Sequence, residues 1–206
     1  MKQFFCIMLL GILMLSVFAC APSPTMTETS DMIVGIQNQF PDAPKYIKSR
    51  TFVFRHQVSN IDTKKFKDAI TQSARDYLVS KGYKVIEVED KTALEDGRAD
   101  MIVKIVPMDI FKQDGTLGYG FYDRKILEVL IKQPARSYIC LDMNLYRKGH
   151  RTITRTGRQE NFSKLDIKEL PDSPDQLTEN EKKEMALNLE KNISETVFRV
   201  LPMLGL

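Results

Sequence analysis

Five cations fall within residues 147–158: Arg147, Lys148, Arg151, Arg155 and Arg158. Guanidinium and ammonium groups at that density suit phosphate oxygens, anionic lipid headgroups or an acidic protein partner. A solvated edge hairpin, whose charges discourage edge-to-edge strand pairing, would carry the same residues. A second candidate is the stretch Leu117-Gly118-Tyr119-Gly120-Phe121-Tyr122. On a mobile loop, rings between glycines suit a protein or membrane-surface contact made by Tyr119, Phe121 and Tyr122; packed back on a core, the same rings serve structure alone. Other chemistry is thin. The two histidines are His56 and His150, and no Cys-x-x-Cys, His-Glu-x-x-His, Gly-x-Ser-x-Gly or P-loop string occurs. Carboxylates gather at Glu87, Glu89 and Asp90 and at Glu95, Asp96 and Asp100. They cluster around a charged turn, whereas a cell-wall hydrolase needs two carboxyls facing one cleft. Their spacing fits no EF-hand loop. The expectation is a non-enzymatic protein with no catalytic residue, metal or dissociable cofactor.

The composition agrees with an ordinary globular domain. Of 206 residues, 43% are hydrophobic and 28% charged, which excludes collagen-like, low-complexity and wholly disordered chains. Thirty basic against 27 acidic residues leave a net charge of +3, too balanced to predict a nucleic-acid-binding surface.

The amino terminus reads as a targeting signal. Lys2 precedes an apolar run from Phe4 to Ala19, too short to favour a spanning helix of about 20 residues. Val17-Phe18-Ala19-Cys20 resembles the bacterial lipobox. The resemblance implies a signal peptide over 1–19, cleavage before Cys20 and covalent lipid, palmitate included, on the Cys20 thiol and amine. With about 0.8 kcal/mol per buried CH₂ and more than one chain, such an anchor is firm. Ala21-Pro22 follows Cys20 with no Asp, which points to the outer membrane and its periplasmic face. Cys140 is then the only free thiol in an oxidising compartment, and is expected as a small buried core residue.

The elements that must position these groups follow from periodicity. Residues 20–50 read as a lipid-anchored tether and an irregular entry segment, within which Met32–Ile36 is either a short strand or an apolar piece lying on the domain. Residues 51–206 read as one domain. Thr51–Arg55 is a strand. Asp62 caps a helix whose Phe66, Ile70, Ala74, Tyr77 and Leu78 share one face, and Gly82 ends it. Val85–Val88 and Ala99–Val106 are strands, and Ile126–Lys132 is a strand or a short helix. Tyr138–Tyr146 is a strand with Ile139, Leu141, Met143 and Leu145 on one face and Cys140, Asp142 and Asn144 on the other. Arg147–His150 is a hairpin turn and Arg151–Gln159 the return strand. Thr178 and Glu181 form a capping box for a last helix striped with Met185, Leu189, Ile193, Val197 and Val200. The fold class is α+β: a mixed, mostly antiparallel sheet of about five strands with two amphipathic helices on one face.

Leu78-Val79-Ser80-Lys81-Gly82-Tyr83 closing the first helix, Ala99-Asp100-Met101-Ile102-Val103 opening a strand, and Val197-Phe198-Arg199-Val200-Leu201-Pro202 ending the last helix resemble a group of small bacterial outer-membrane lipoproteins of unknown function. In size, layout and final helix the chain is more distantly similar to the lipopolysaccharide-assembly lipoprotein that plugs an outer-membrane barrel. The loose Ala21-Pro22-Ser23 tether departs from that family, which enters its domain at once. The resemblance implies an assembly or scaffolding partner of an envelope complex, held to the membrane by its anchor. A carrier or chaperone for lipid or lipopolysaccharide is the alternative.

Overall fold

A computed structural model describes residues 31–50, 57–61, 65–109, 116–126, 131, 132 and 134–206. The lipobox, Cys20, His56, the Asp62 cap and the strand expected at Thr51–Arg55 lie outside these residues.

The strands are β1 (Ile33–Asn38), β2 (Lys45–Arg50), β3 (Gln57–Asn60), β4 (Lys84–Glu87), β5 (Met101–Pro107), β6 (Tyr119–Ile126), β7 (Ile131–Lys132), β8 (Arg136–Arg147) and β9 (Arg155–Lys164). The helices are α1 (Lys65–Ser80), the single turn α2 (Thr92–Glu95) and α3 (Glu179–Val200). These nine strands, counted among the described residues, join one sheet. It is mixed and mostly antiparallel, with β1–β4, β1–β5 and β2–β6 parallel.

Strand β8 organises the sheet because one of its edges is used twice. Residues Arg136–Ile139 pair β6, and Leu141–Arg147 pair β5, while the opposite edge pairs β9 along Arg136–Leu145. The two partners meet at Cys140, whose N–H donates to Gly118 O and whose carbonyl accepts from Met108 N. The sheet therefore branches at Cys140 into a β5–β1–β4 arm and a β6–β2–β3 arm.

Helices α1 and α3 pack against each other and on one face of the sheet. Helix α1 buries the expected Phe66, Ile70, Ala74, Tyr77 and Leu78. It ends where Gly82 turns left-handed at φ 86°, with Tyr83 N–H donating back to Leu78 O. Helix α3 starts with the reciprocal Thr178–Glu181 capping box and buries the expected apolar stripe. These residues meet Ile139, Leu141, Met143 and Leu145 of β8 in one core. The other face carries two smaller clusters: Val88, Ala93, Leu94, Ala99, Ile102 and Tyr146, and Ile47, Tyr122, Tyr138 and Cys140.

Three expectations need correction. Within residues 33–50 the short-strand alternative at Met32–Ile36 is the one observed, as β1 between β4 and β5, but β2 between β3 and β6 replaces the rest of the irregular entry, so the domain begins before residue 51. Among the described residues the sheet has nine strands rather than about five, since short runs such as Lys45-Tyr46-Ile47-Lys48 pair without a strong alternating signal. The return strand starts at Arg155, because Leu145 pairs Arg155 and also accepts the Thr154 N–H at 2.8 Å, which leaves 148–154 as a longer tip.

Candidate interaction surface

The basic hairpin sits where three strands share an end. Met101 at the start of β5 is opposite Arg147 at the end of β8, and Val34 near the start of β1 is opposite Met101. Asp100 binds the corner together. Its Oδ2 accepts the Ile33 N–H at 2.9 Å, its N–H donates to Ile33 O at 2.9 Å, and its carbonyl accepts the Lys148 N–H at 2.9 Å.

Helix α2 folds over this corner because Ala93 and Leu94 bury against Ile102 and Tyr146, and Asp90 Oδ1 fixes the bend just before it by accepting from Thr92 N at 2.8 Å. That placement carries Lys91 to the hairpin. Its Nζ stands 3.7 Å from the Tyr146 ring centroid, a cation–π contact. Between the turn and the hairpin lies a cleft of about 430 Å³ whose lining includes Lys91, Glu95, Tyr146, Arg147, His150 and Arg151. Lys148 lies alongside, its ammonium next to Gly97. Lys91, Lys148 and Arg151 are exposed and Arg147 is half-buried. Among the described residues none of these four cations has an ion-pair partner, and the cleft has one acid, Glu95. The carboxylates nearby have other tasks: Glu87 pairs Arg75 and Asp96 pairs Arg98, each at 2.7 Å. The Arg98 guanidinium and N–H hold the Asp96 carboxyl below its ordinary pKa.

The five cations singled out in the sequence do not form one cluster. Arg147, Lys148 and Arg151 share the tip. Arg155 opens β9, its guanidinium occupying the space where a side chain on Gly205 would stand. Arg158 is held by Asp142 in a bidentate pair of 2.7 and 2.9 Å, and that hydrogen-bonded pairing keeps it more firmly protonated than usual. Lys91 joins the tip from 56 positions before Arg147, a distance over which no local pattern operates.

The aromatic stretch is not a contact surface. Tyr119, Phe121 and Tyr122 are buried in β6, at 0, 2 and 5% exposure. Tyr119 packs between Phe40 and Phe66 and donates its hydroxyl to Pro41 O at 3.0 Å and Asp42 O at 3.2 Å. Tyr122 meets Tyr138 edge-on at 6.4 Å. The intervening glycine explains the spacing. Gly120 has φ 153°, and a Cβ there would stand 2.6 Å from Lys45 N and nearer still to its carbonyl oxygen. The residue permits close pairing with β2 rather than mobility.

A second concavity, of about 540 Å³, opens between the N-terminal ends of α1 and α3. Phe66, Phe121, Leu177 and Met185 give it an apolar lining, with Lys65, Lys182 and Lys183 among its polar residues. Cys140, as expected, is a buried free thiol, and burial pushes its pKa up.

No protein-family model matches the chain, and no curated relative does. Among solved structures, protein XCC0632 from Xanthomonas campestris, of family model DUF330, matches at a TM-score of 0.52 and 11% identity, over 89% of this chain and 90% of that one. The likeness is one of fold. A putative neuraminyllactose-binding hemagglutinin homolog from Helicobacter pylori matches at a TM-score of 0.40 and 12% identity, over 85% of this chain and 80% of that one.

Proposed function

We propose that the chain is a lipid-anchored outer-membrane lipoprotein that faces the periplasm and serves as a non-enzymatic assembly partner of an envelope complex. The observation that carries the reading is the lipobox-like Val17–Cys20 run, followed by a short tether that enters an α+β domain through β1. Structural employment of the reactive groups adds support. Cys140 is sealed in the sheet, Glu87 and Asp100 each hold a neighbouring element, and Asp90 and Asp96 bond within their own turns. Gentle solubilisation and affinity purification beside a Cys20→Ser control test the reading. A stoichiometric envelope protein recovered only with the acylated chain is the expected result. Recovery of an unacylated chain from the soluble fraction overturns it.

A lipid or lipopolysaccharide carrier is the second reading, favoured by the apolar concavity between α1 and α3 with lysines among its lining. It requires lipid to accompany the purified protein in native mass spectrometry; bare protein counts against it.

A further inference from the structure

We propose that the hairpin tip and the α2 turn form a docking face for an anionic membrane surface, with Lys91, Arg147, Lys148 and Arg151 as its cations. The inference rests on the anchored-lipoprotein reading and adds an orientation to it.

Three observations converge. The four cations crowd one end of the sheet without ion-pair partners among the described residues, and only Glu95 opposes them in the cleft. Other cations at this end are already neutralised, Lys84 by Asp31 at 3.1 Å and Arg98 by Asp96 at 2.7 Å. The uncompensated charge is therefore concentrated on the tip.

The second observation is where the chain enters. Asp31 precedes β1 at this same end, since Ile33 is tied to Asp100 and Asp100 to Lys148. Cys20 lies eleven residues before Asp31, a reach of at most about 40 Å when extended. A lipid on Cys20 thus tethers the domain by the end that carries the cations, and the tether raises the effective concentration of that end at the bilayer.

Third, the face has apolar side chains suited to the headgroup boundary. Ile153 in the tip loop is 45% exposed, and Met32, next to β1, is 37% exposed. Cations flanking isolated apolar residues match an interface where headgroup phosphates and acyl chains meet. A flat bilayer is favoured over a folded acidic partner because the tether already brings this end to the bilayer.

The test uses the processed chain purified from membranes, with Ile153→Cys carrying an environment-sensitive fluorophore; native Cys140 is buried and leaves one reactive thiol in the domain. The protein is reconstituted in vesicles of phosphatidylcholine alone or of phosphatidylcholine with phosphatidylglycerol. Docking predicts a blue-shifted probe, quenched by lipid-borne quenchers, only in the anionic vesicles and reversed by raised salt. Reversing Lys148 and Arg151 together to Glu, both on exposed loop positions, should weaken the anionic-vesicle response by at least twentyfold, at about fivefold for each cation lost. The same reversal at Lys168 and Lys191, away from the tip, should leave it unchanged. Equal spectra in both vesicles, or a response indifferent to Lys148 and Arg151, overturns the proposal. Intact mass separately reports acylation of Cys20. An unacylated chain that still floats with anionic vesicles through its tip refutes the anchor while retaining the docking face.

Discussion

The backbone N–H of Lys148 donates to the carbonyl of Asp100 at 2.9 Å, so the tip of the β8–β9 hairpin hangs from the residue whose carboxylate also holds the Ile33 N–H. One half-buried residue, through its carboxylate and its backbone together, thereby joins the strand through which the chain enters, the strand beside it and the basic tip.

Replacing Asp100 should loosen this corner. Asp100→Ala strands the Ile33 N–H and is expected to cost about 1–3 kcal/mol. In a domain of this size that lowers Tm by roughly 2–4 °C per kcal/mol. Asp100→Asn retains an acceptor oxygen and should recover most of the loss. Urea midpoints of the three proteins check the order.

Gly120 tolerates no side chain. A Cβ would collide with the Lys45 backbone and break the parallel β2–β6 pairing, which runs from Lys45–Gly120 to Arg50–Lys125. Gly120→Ala is expected to destabilise by about 3 kcal/mol or more, seen as a fall in Tm and a gain in proteolysis of the β2–β3 arm. An alanine variant with wild-type Tm would show that the strand can shift without loss.

Asn192 is a buried polar staple. Its Nδ2 reaches Ser137 Oγ at 3.1 Å, Ser137 O at 3.3 Å and Asn161 O at 3.4 Å, linking α3 to both β8 and β9. Asn192→Ala removes that donor from a 1%-exposed site and is expected to cost about 2 kcal/mol. Asn192→Asp should cost more, since it sets a carboxylate against two carbonyls. Chemical denaturation measures both.

Alkaline pH should destabilise the protein. Burial raises the pKa of Tyr46, Tyr119, Tyr138 and Cys140 in the folded chain, with neighbouring acids adding to the effect at each. Groups raised on folding contribute stability that is whole below their unfolded values, 9.0 for the thiol and 10.0 for the phenols, and is lost as pH rises beyond them. Each withdraws about 1.4 kcal/mol per pH unit in that window. Denaturation midpoints should hold up to about pH 9 and then fall steeply. In the same samples Cys140 should resist alkylation until denaturant is added; rapid native labelling would contradict its burial.

The helices were legible because their signals are local. Phe66, Ile70, Ala74, Tyr77 and Leu78 repeat at the helical period, and Thr178 with Glu181 caps the first turn within four residues. The alternation of β8 was equally readable, its apolar residues meeting the helices and Cys140 facing away. The aromatic stretch misled because Gly-Tyr-Gly-Phe-Tyr has the composition of a mobile loop. Its glycine is needed for Lys45, a residue 75 positions away that no window contains. The basic hairpin was half readable: its charges were visible, but not that Asp142 takes Arg158 out of the cluster and Lys91 enters it.

From the sequence alone came the α+β class, both amphipathic helices and the burial of Cys140. Each of these depends on residues a few positions apart, where the periods of helix and strand act directly on side-chain direction. The tertiary structure decided the rest: β1 inside the sheet, the branch at Cys140, the burial of Tyr119, Phe121 and Tyr122, and the union of Lys91 with Arg147, Lys148 and Arg151. Those outcomes depend on strand register and on contacts between distant segments. They emerge only when backbone hydrogen bonds and buried area are satisfied across the whole sheet at once.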